Sequence, residues 1–249
     1  MAQIIETRAA RINTGESNPK NLCKLAAVAT SISVCLMLLD IVVSFLFKET
    51  IAFGSFDATN WFAIFRNNWF SGLRNLGILN VMEMILAIPM LFAVYVTHRN
   101  VSKTLVSFAV ILSLVGTAIY ISNNAAVPMF VLGKKYAAAV SDVQRSLLAA
   151  AGEAILARGE DFTPGAFIGF ILSEIATLAI TFVMLRGKIF KKATALIGML
   201  GVTLLSAFTC LATFFPASQN LTMVFGMAGG TLSMVWSILV AVKLFRLGK

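Results

Sequence analysis

Six apolar runs, each about 20 residues long and almost free of charge, constrain this chain more than any other feature. A helix of that length covers roughly 30 Å, the depth of a bilayer's hydrocarbon core, and in lipid only helices or closed barrels satisfy every backbone amide. The runs fall at about Leu25 to Phe47, Ile78 to Thr97, Thr104 to Ser122, Gly165 to Leu185, Ala193 to Phe214 and Leu221 to Leu244. The expected fold class is all-α, an integral membrane bundle of six transmembrane helices. Composition agrees: 59% of residues are hydrophobic and 12% charged, against about a quarter charged in soluble domains.

The first run follows a basic tail but is too long for a secretion signal, carries Asp40 and lacks a small-residue cleavage site, so it reads as a retained anchor. Met1 to Lys24 has little periodicity and is expected to be a mostly disordered cytoplasmic tail, with residues 25–249 forming one membrane domain. Cys23, Cys35 and Cys210 fall in or beside the runs, which implies neither a disulfide framework nor a cysteine-based metal site.

The net charge of +9 is unevenly placed. With an even number of crossings, one side collects Lys20, Lys24, Arg99 and Lys103, the short turn Arg186 to Lys192, and Lys243, Arg246 and Lys249. The other side holds Lys48, Arg66, Arg74, Lys134, Lys135, Arg145 and Arg158, spread through longer loops. The positive-inside rule then puts both termini in the cytoplasm of a cell whose plasma membrane holds the bundle. The basic excess reads as contact with anionic lipid rather than nucleic acid.

Two outer segments carry helical patterns. From about 57 to 74, Trp61, Phe62, Phe65, Trp69, Phe70 and Leu73 recur at helical spacing, as in an interfacial helix. From 134 to 158, Tyr136, Val140, Val143, Leu147, Ala151, Ala154 and Ile155 form one face of a single amphipathic helix. Asp161 or Thr163 can then cap a new helix, with Pro164 in its first turn. The pairs Gly165/Gly169 and Gly226/Gly230 each place two glycines on one helix face, a spacing that permits close helix contact.

Three carboxylates lie inside the runs: Asp40, Glu83 and Glu174. Counted from the outer ends they sit roughly 10, 8 and 13 Å deep, in one band of the outer half. Each costs about 2.5 to 3.5 kcal/mol at mid-membrane, which the Leu, Ile, Val and Phe of a run outweigh, but exposing it to lipid is unfavourable. One reading joins them with Asn80, Asn123 and Asn124 in a ligand-binding polar pocket open to the outer face. The other has each acid protonated, or hydrogen-bonded to a Ser, Thr, Asn or Arg on a neighbouring helix, fixing packing alone. His98 is the only histidine and is expected at the surface of the inner turn, so no histidine-based metal or bis-histidine haem site is implied. No nucleophile pairs with a base, and no phosphate-binding or hydrolase motif occurs. A non-enzyme without cofactor is expected, its partners the bilayer, a small or lipidic ligand, and a homo- or hetero-oligomer.

Lys135-Tyr136-Ala137-Ala138-Ala139 and the Ala-rich run from Asp142 to Ala157 resemble a prokaryotic membrane family known as domain of unknown function 4386. The order of three spans, Ala-rich insert, glycine-led span, basic turn and two closing spans is similar too, from the second span onward. The resemblance implies a multi-pass membrane protein and supplies no catalytic residue. The function expected is binding or moving a small or lipidic ligand in the outer-facing pocket. The alternative is a structural or regulatory partner of other membrane proteins.

Overall fold

The computed structural model describes residues 19–47 and 57–249. Residues 1–18 of the tail, and the outer-surface marker Lys48 to Thr50, lie outside the described residues. Helix α1 spans Pro19–Phe47 and so begins inside the stretch expected to be tail. A proline suits a first helical turn because its missing N–H has no partner there in any case.

The most informative element is α4, Ile78–Asn123, which is 46 residues long. Straight, it would measure about 69 Å, twice the depth a single crossing needs. Backbone angles leave the helical region at Ser102 (φ −159°, ψ 87°), and the two ends of α4 meet again. Tyr120 Oη donates to the Gly77 carbonyl at 3.3 Å, and Asn124 Nδ2 donates to the Leu76 carbonyl at 2.9 Å. The element is therefore a hairpin of two antiparallel arms, matching the second and third apolar runs. After α5 (Ala126–Ala138) and α6 (Asp142–Gly159) come α7 (Pro164–Arg186), α8 (Lys192–Phe214), a short 3-10 turn and α9 (Gln219–Gly248). Five of the described helical segments are long and apolar enough to cross a membrane.

The rods close into a ring in which α1 touches the hairpin, the hairpin α7, α7 α8, α8 α9, and α9 α1. One end of the ring holds the continuous core, where Ala26, Val94, Ala109, Ile180, Met184, Trp236, Val240 and Leu244 interlock. The basic clusters share this end, and Lys20 Nζ reaches the Lys249 carbonyl at 3.0 Å. Toward the other end packing loosens: α1 buries nothing between Cys35 and Ser44, and the first arm of α4 buries nothing between Asn80 and Pro89. Leu38, Val42, Ile85, Phe108 and Ile111 face outward, as lipid-facing side chains must.

His98 departs from the surface position expected of it. It is fully buried, its ring stacked on Phe190 at 5.5 Å and pressed against Gly187, because the tight turn after α7 folds over it.

Four short helices cap the loose end: α2 (Ala58–Asn67), α3 (Trp69–Asn75), α5 and α6. Their own core contains Trp61, Phe62, Phe65, Leu76, Met129 and Leu156. Both outer segments break where one helix was expected. In the first, Asn68 ends α2 in extended backbone and its Oδ1 accepts from Phe70 and Ser71 N–H to start α3. The aromatic stripe divides there: Trp61, Phe62 and Phe65 are buried, whereas Trp69 is 57% exposed. In the second, Ala139 adopts extended backbone and Ser141 Oγ caps α6 by accepting from Gln144 N–H. The expected face of this helix is not its packed face, since Val140 is 89% exposed and Leu147 67%. Gly152, Leu156 and Gly159 are buried instead, because the helix approaches Ala58, Phe62 and Asn123 too closely for a Cβ at either glycine.

Candidate functional site at the capped end

The six candidate residues do not share one set of partners. Asp40 belongs to a clamp between α1 and the cap, in which Arg74 Nη1 donates to its Oδ1 at 3.2 Å and also to Ser44 Oγ at 2.8 Å. Arg74 is buried while the Asp40 side chain is half exposed. Glu83, on the first arm of α4, lies close enough to feel the charge of Asp40. Glu174 turns to α8, where Thr209 Oγ1 donates to its Oε1 at 2.6 Å. The structure thus pairs Asp40 with Arg74, places Glu83 near Asp40 and gives Glu174 different neighbours.

The asparagines fasten the cap to the bundle. Asn123 Oδ1 accepts from Arg158 at 2.9 Å, tying the end of α4 to α6. Asn124 donates to the Leu76 carbonyl and accepts from Ala126 N–H, which joins the hairpin end to the start of α5. Asn80 Nδ2 donates to Asp161 Oδ2 at 2.7 Å, and Tyr120 Oη donates to Asp161 Oδ1 at 2.6 Å. Asp161 is therefore the hub of a buried polar node and not a helix cap. Thr163 occupies the cap position of α7 without a side-chain cap bond, its hydroxyl donating to the Glu160 carbonyl instead. Gly77 completes the node at φ +83°, where an added Cβ would collide with both Asp161 and Tyr120.

Burial dominates the electrostatics of this junction. It pushes the Asp161 carboxyl up to about 6, although the bonds from Tyr120 and Asn80 favour the charged form. Glu160, beside Trp61, is pushed up to about 7 by burial, with Asp161 and Glu153 adding repulsion. At the exposed end of α2 the opposite holds: Asp57 is lowered by the Asn60 N–H and Thr59 hydroxyl that it accepts from. Among the described residues, no group of three or more His, Cys, Asp or Glu is arranged to hold a metal ion.

The cap also forms a groove of about 590 Å³ between α2, α3 and α5, lined by Phe65, Trp69, Leu73, Phe130 and Gly133 and by the cations Arg66 and Lys134. Lys134 Nζ stands 4.3 Å from the centroid of the Phe130 ring, a cation–π contact that holds the ammonium over the groove. Sequence periodicity could not reveal this site, since Phe65, Trp69 and Leu73 lie about 60 residues from Phe130 and Gly133, which fall before the segment expected to form the second amphipathic helix. The signal present was the pairing of an aromatic stripe with basic residues on the neighbouring face.

No family model matches the chain, and searches of curated proteins and of solved structures return no match. The fold and the geometry above define a class, a membrane-embedded helical bundle with a folded cap at one end.

Proposed function

We propose that the chain crosses a prokaryotic cell membrane six times with both ends in the cytoplasm, and that its cap binds an anionic amphiphile at the outer face. The role is binding, without covalent chemistry, and kinship with the domain 4386 family belongs to the same proposal. Placement of the basic clusters at the uncapped end supports the orientation through the positive-inside rule. One observation carries the ligand class: the groove is lined by three aromatic rings and two cations. Its volume suits a small ligand, the rings accept an apolar tail, and Arg66 and Lys134 suit a phosphate or carboxylate headgroup. This moves the expected pocket from the intramembrane carboxylates to the cap. Acidic residues would repel an anionic headgroup, and Asp40 is already occupied by Arg74.

Native mass spectrometry of the purified protein tests the proposal with phosphatidylglycerol and phosphatidylcholine as probes. Preferential retention of the anionic lipid is expected, falling about a hundredfold or more in the double variant Arg66→Gln/Lys134→Gln, since charge-assisted bonds contribute about 1.5 to 3 kcal/mol each. Equal retention of both lipids, or unchanged retention by the variant, would rule the reading out. A second reading, assembly with another membrane protein, is favoured by the exposed strip Val140, Val143 and Leu147 on α6. The same spectra address it, because a monomer carrying only lipid counts against a stable assembly.

A further inference from the structure

Hydroxyl groups in the spans mostly satisfy themselves. Thr30, Thr177, Thr181, Thr203 and Ser206 each donate to the carbonyl four residues back on their own helix. Helix α8 departs from this habit at two positions: Thr209 turns its hydroxyl to Glu174 on α7, and Thr213 Oγ1 is buried without a partner. Ser206, Thr209 and Thr213 follow steps of three and four, so they lie on one face, and Ser206 also stands beside the Glu174 carboxylate.

Glu174 itself is half satisfied. Oε1 accepts from Thr209, while Oε2 is buried and has no hydrogen-bond partner. Neither ion pair among the described residues includes it. An ionised carboxylate in a low-dielectric interior is retained only with a compensating charge. The polar groups at the Glu174 carboxylate are the hydroxyls of Thr209 and Ser206, neutral oxygens of the type that hard cations prefer to nitrogen or sulfur. A single negative charge with neutral oxygens matches one positive charge and undercompensates two. Three rings gather toward the capped end: Phe170, one turn before Glu174 on α7, is stacked by Phe162 at 5.4 Å, and Phe162 meets Phe208, the neighbour of Thr209, edge-on at 4.8 Å. Phe162 holds that place from the left-handed region, φ 60°, an uncommon conformation for a bulky side chain.

We propose that Glu174, with Thr209 and the hydroxyl stripe of α8, binds a small monovalent cation, sodium, between α7 and α8 near these rings. The site is separate from the groove in the cap and does not depend on what the groove binds.

The test uses the full chain in detergent at fixed pH and constant ionic strength, with choline chloride replaced stepwise by sodium chloride or potassium chloride. A saturable rise in melting temperature of about 5 °C or more is expected with sodium, since a ligand at a hundred times its dissociation constant stabilises by mass action. Potassium should give less than half of that rise. Glu174→Gln should abolish the sodium response, Thr209→Val should weaken it at least tenfold in midpoint, and Thr209→Ser should restore it. The groove variant Arg66→Gln/Lys134→Gln should leave it unchanged. No sodium-specific rise in the wild-type chain, or an undiminished one in Glu174→Gln or Thr209→Val, overturns the proposal. If Glu174→Gln fails to fold, the wild-type salt comparison and the Thr209 pair decide alone.

Discussion

Asp161 shows how a single side chain can fasten a cap to a bundle. Its two oxygens join both arms of the hairpin, through Asn80 and Tyr120, to the turn before α7. Burial raises its folded-state value to about 6 from an ordinary 3.8, so the folded protein holds the proton more tightly than the unfolded chain. The stability gained from that proton is complete below about pH 4 and is lost as pH rises through about 6, a change on the order of 3 kcal/mol. The melting temperature of the wild-type chain should therefore fall between pH 4.5 and pH 7.5. Asp161→Asn should flatten part of that slope, the remainder belonging to Glu160, which shifts in the same direction. An equal slope in variant and wild type would show that Asp161 keeps its ordinary titration. The sequence displayed Asp161 only as a helix-cap candidate, because its actual partners lie 41 and 81 residues away. Asp40, Glu83 and Glu174 were visible as charges out of place in apolar runs, yet their partners Arg74 and Thr209 were not. A hydrogen bond between distant segments has no periodic signature.

At the scale of elements, glycine spacing was informative where two helices truly meet and silent elsewhere. An added Cβ at Gly169 would lie 2.8 Å from Tyr120 Cβ, so α7 and the second arm of α4 touch almost backbone to backbone. At Gly230 nothing lies within 4 Å, and it is Gly229 that faces α8, at Leu205 N. Gly169→Val should destabilise the bundle by about 1 to 3 kcal/mol through overpacking, whereas Gly230→Val should leave the melting temperature within a degree or two. The reverse order would show that the packed faces have been misassigned. Spans were legible from hydropathy because a bilayer demands about 20 apolar residues whatever the fold. The breaks at Asn68 and at Ala139 to Ser141 were not. Each depends on a short polar side chain capping a new helix, and Asn and Ser occur in the interiors of helical patterns as well.

Taken whole, the molecule is asymmetric: one end is basic and tightly packed, the other is loosely packed and covered by four short helices. The charge pattern already divided the chain this way, since Lys and Arg cluster in the short turns and at the C-terminus. It could not show that the outer segments fold together, because Trp61 and Phe62 pack against Met129 and Leu156 from far along the chain. An anion-binding cap at the outer face requires that the cap lie outside the cell. Single cysteines placed in a background with Cys23, Cys35 and Cys210 changed to Ser probe this directly, using a membrane-impermeant maleimide on intact cells. Gln144→Cys, exposed on α6, should label in intact cells, while Lys192→Cys, at the basic end, should label only after the membrane is opened. Gln144→Cys protected until permeabilisation, with Lys192→Cys labelled from outside, would contradict the orientation on which the proposed function depends.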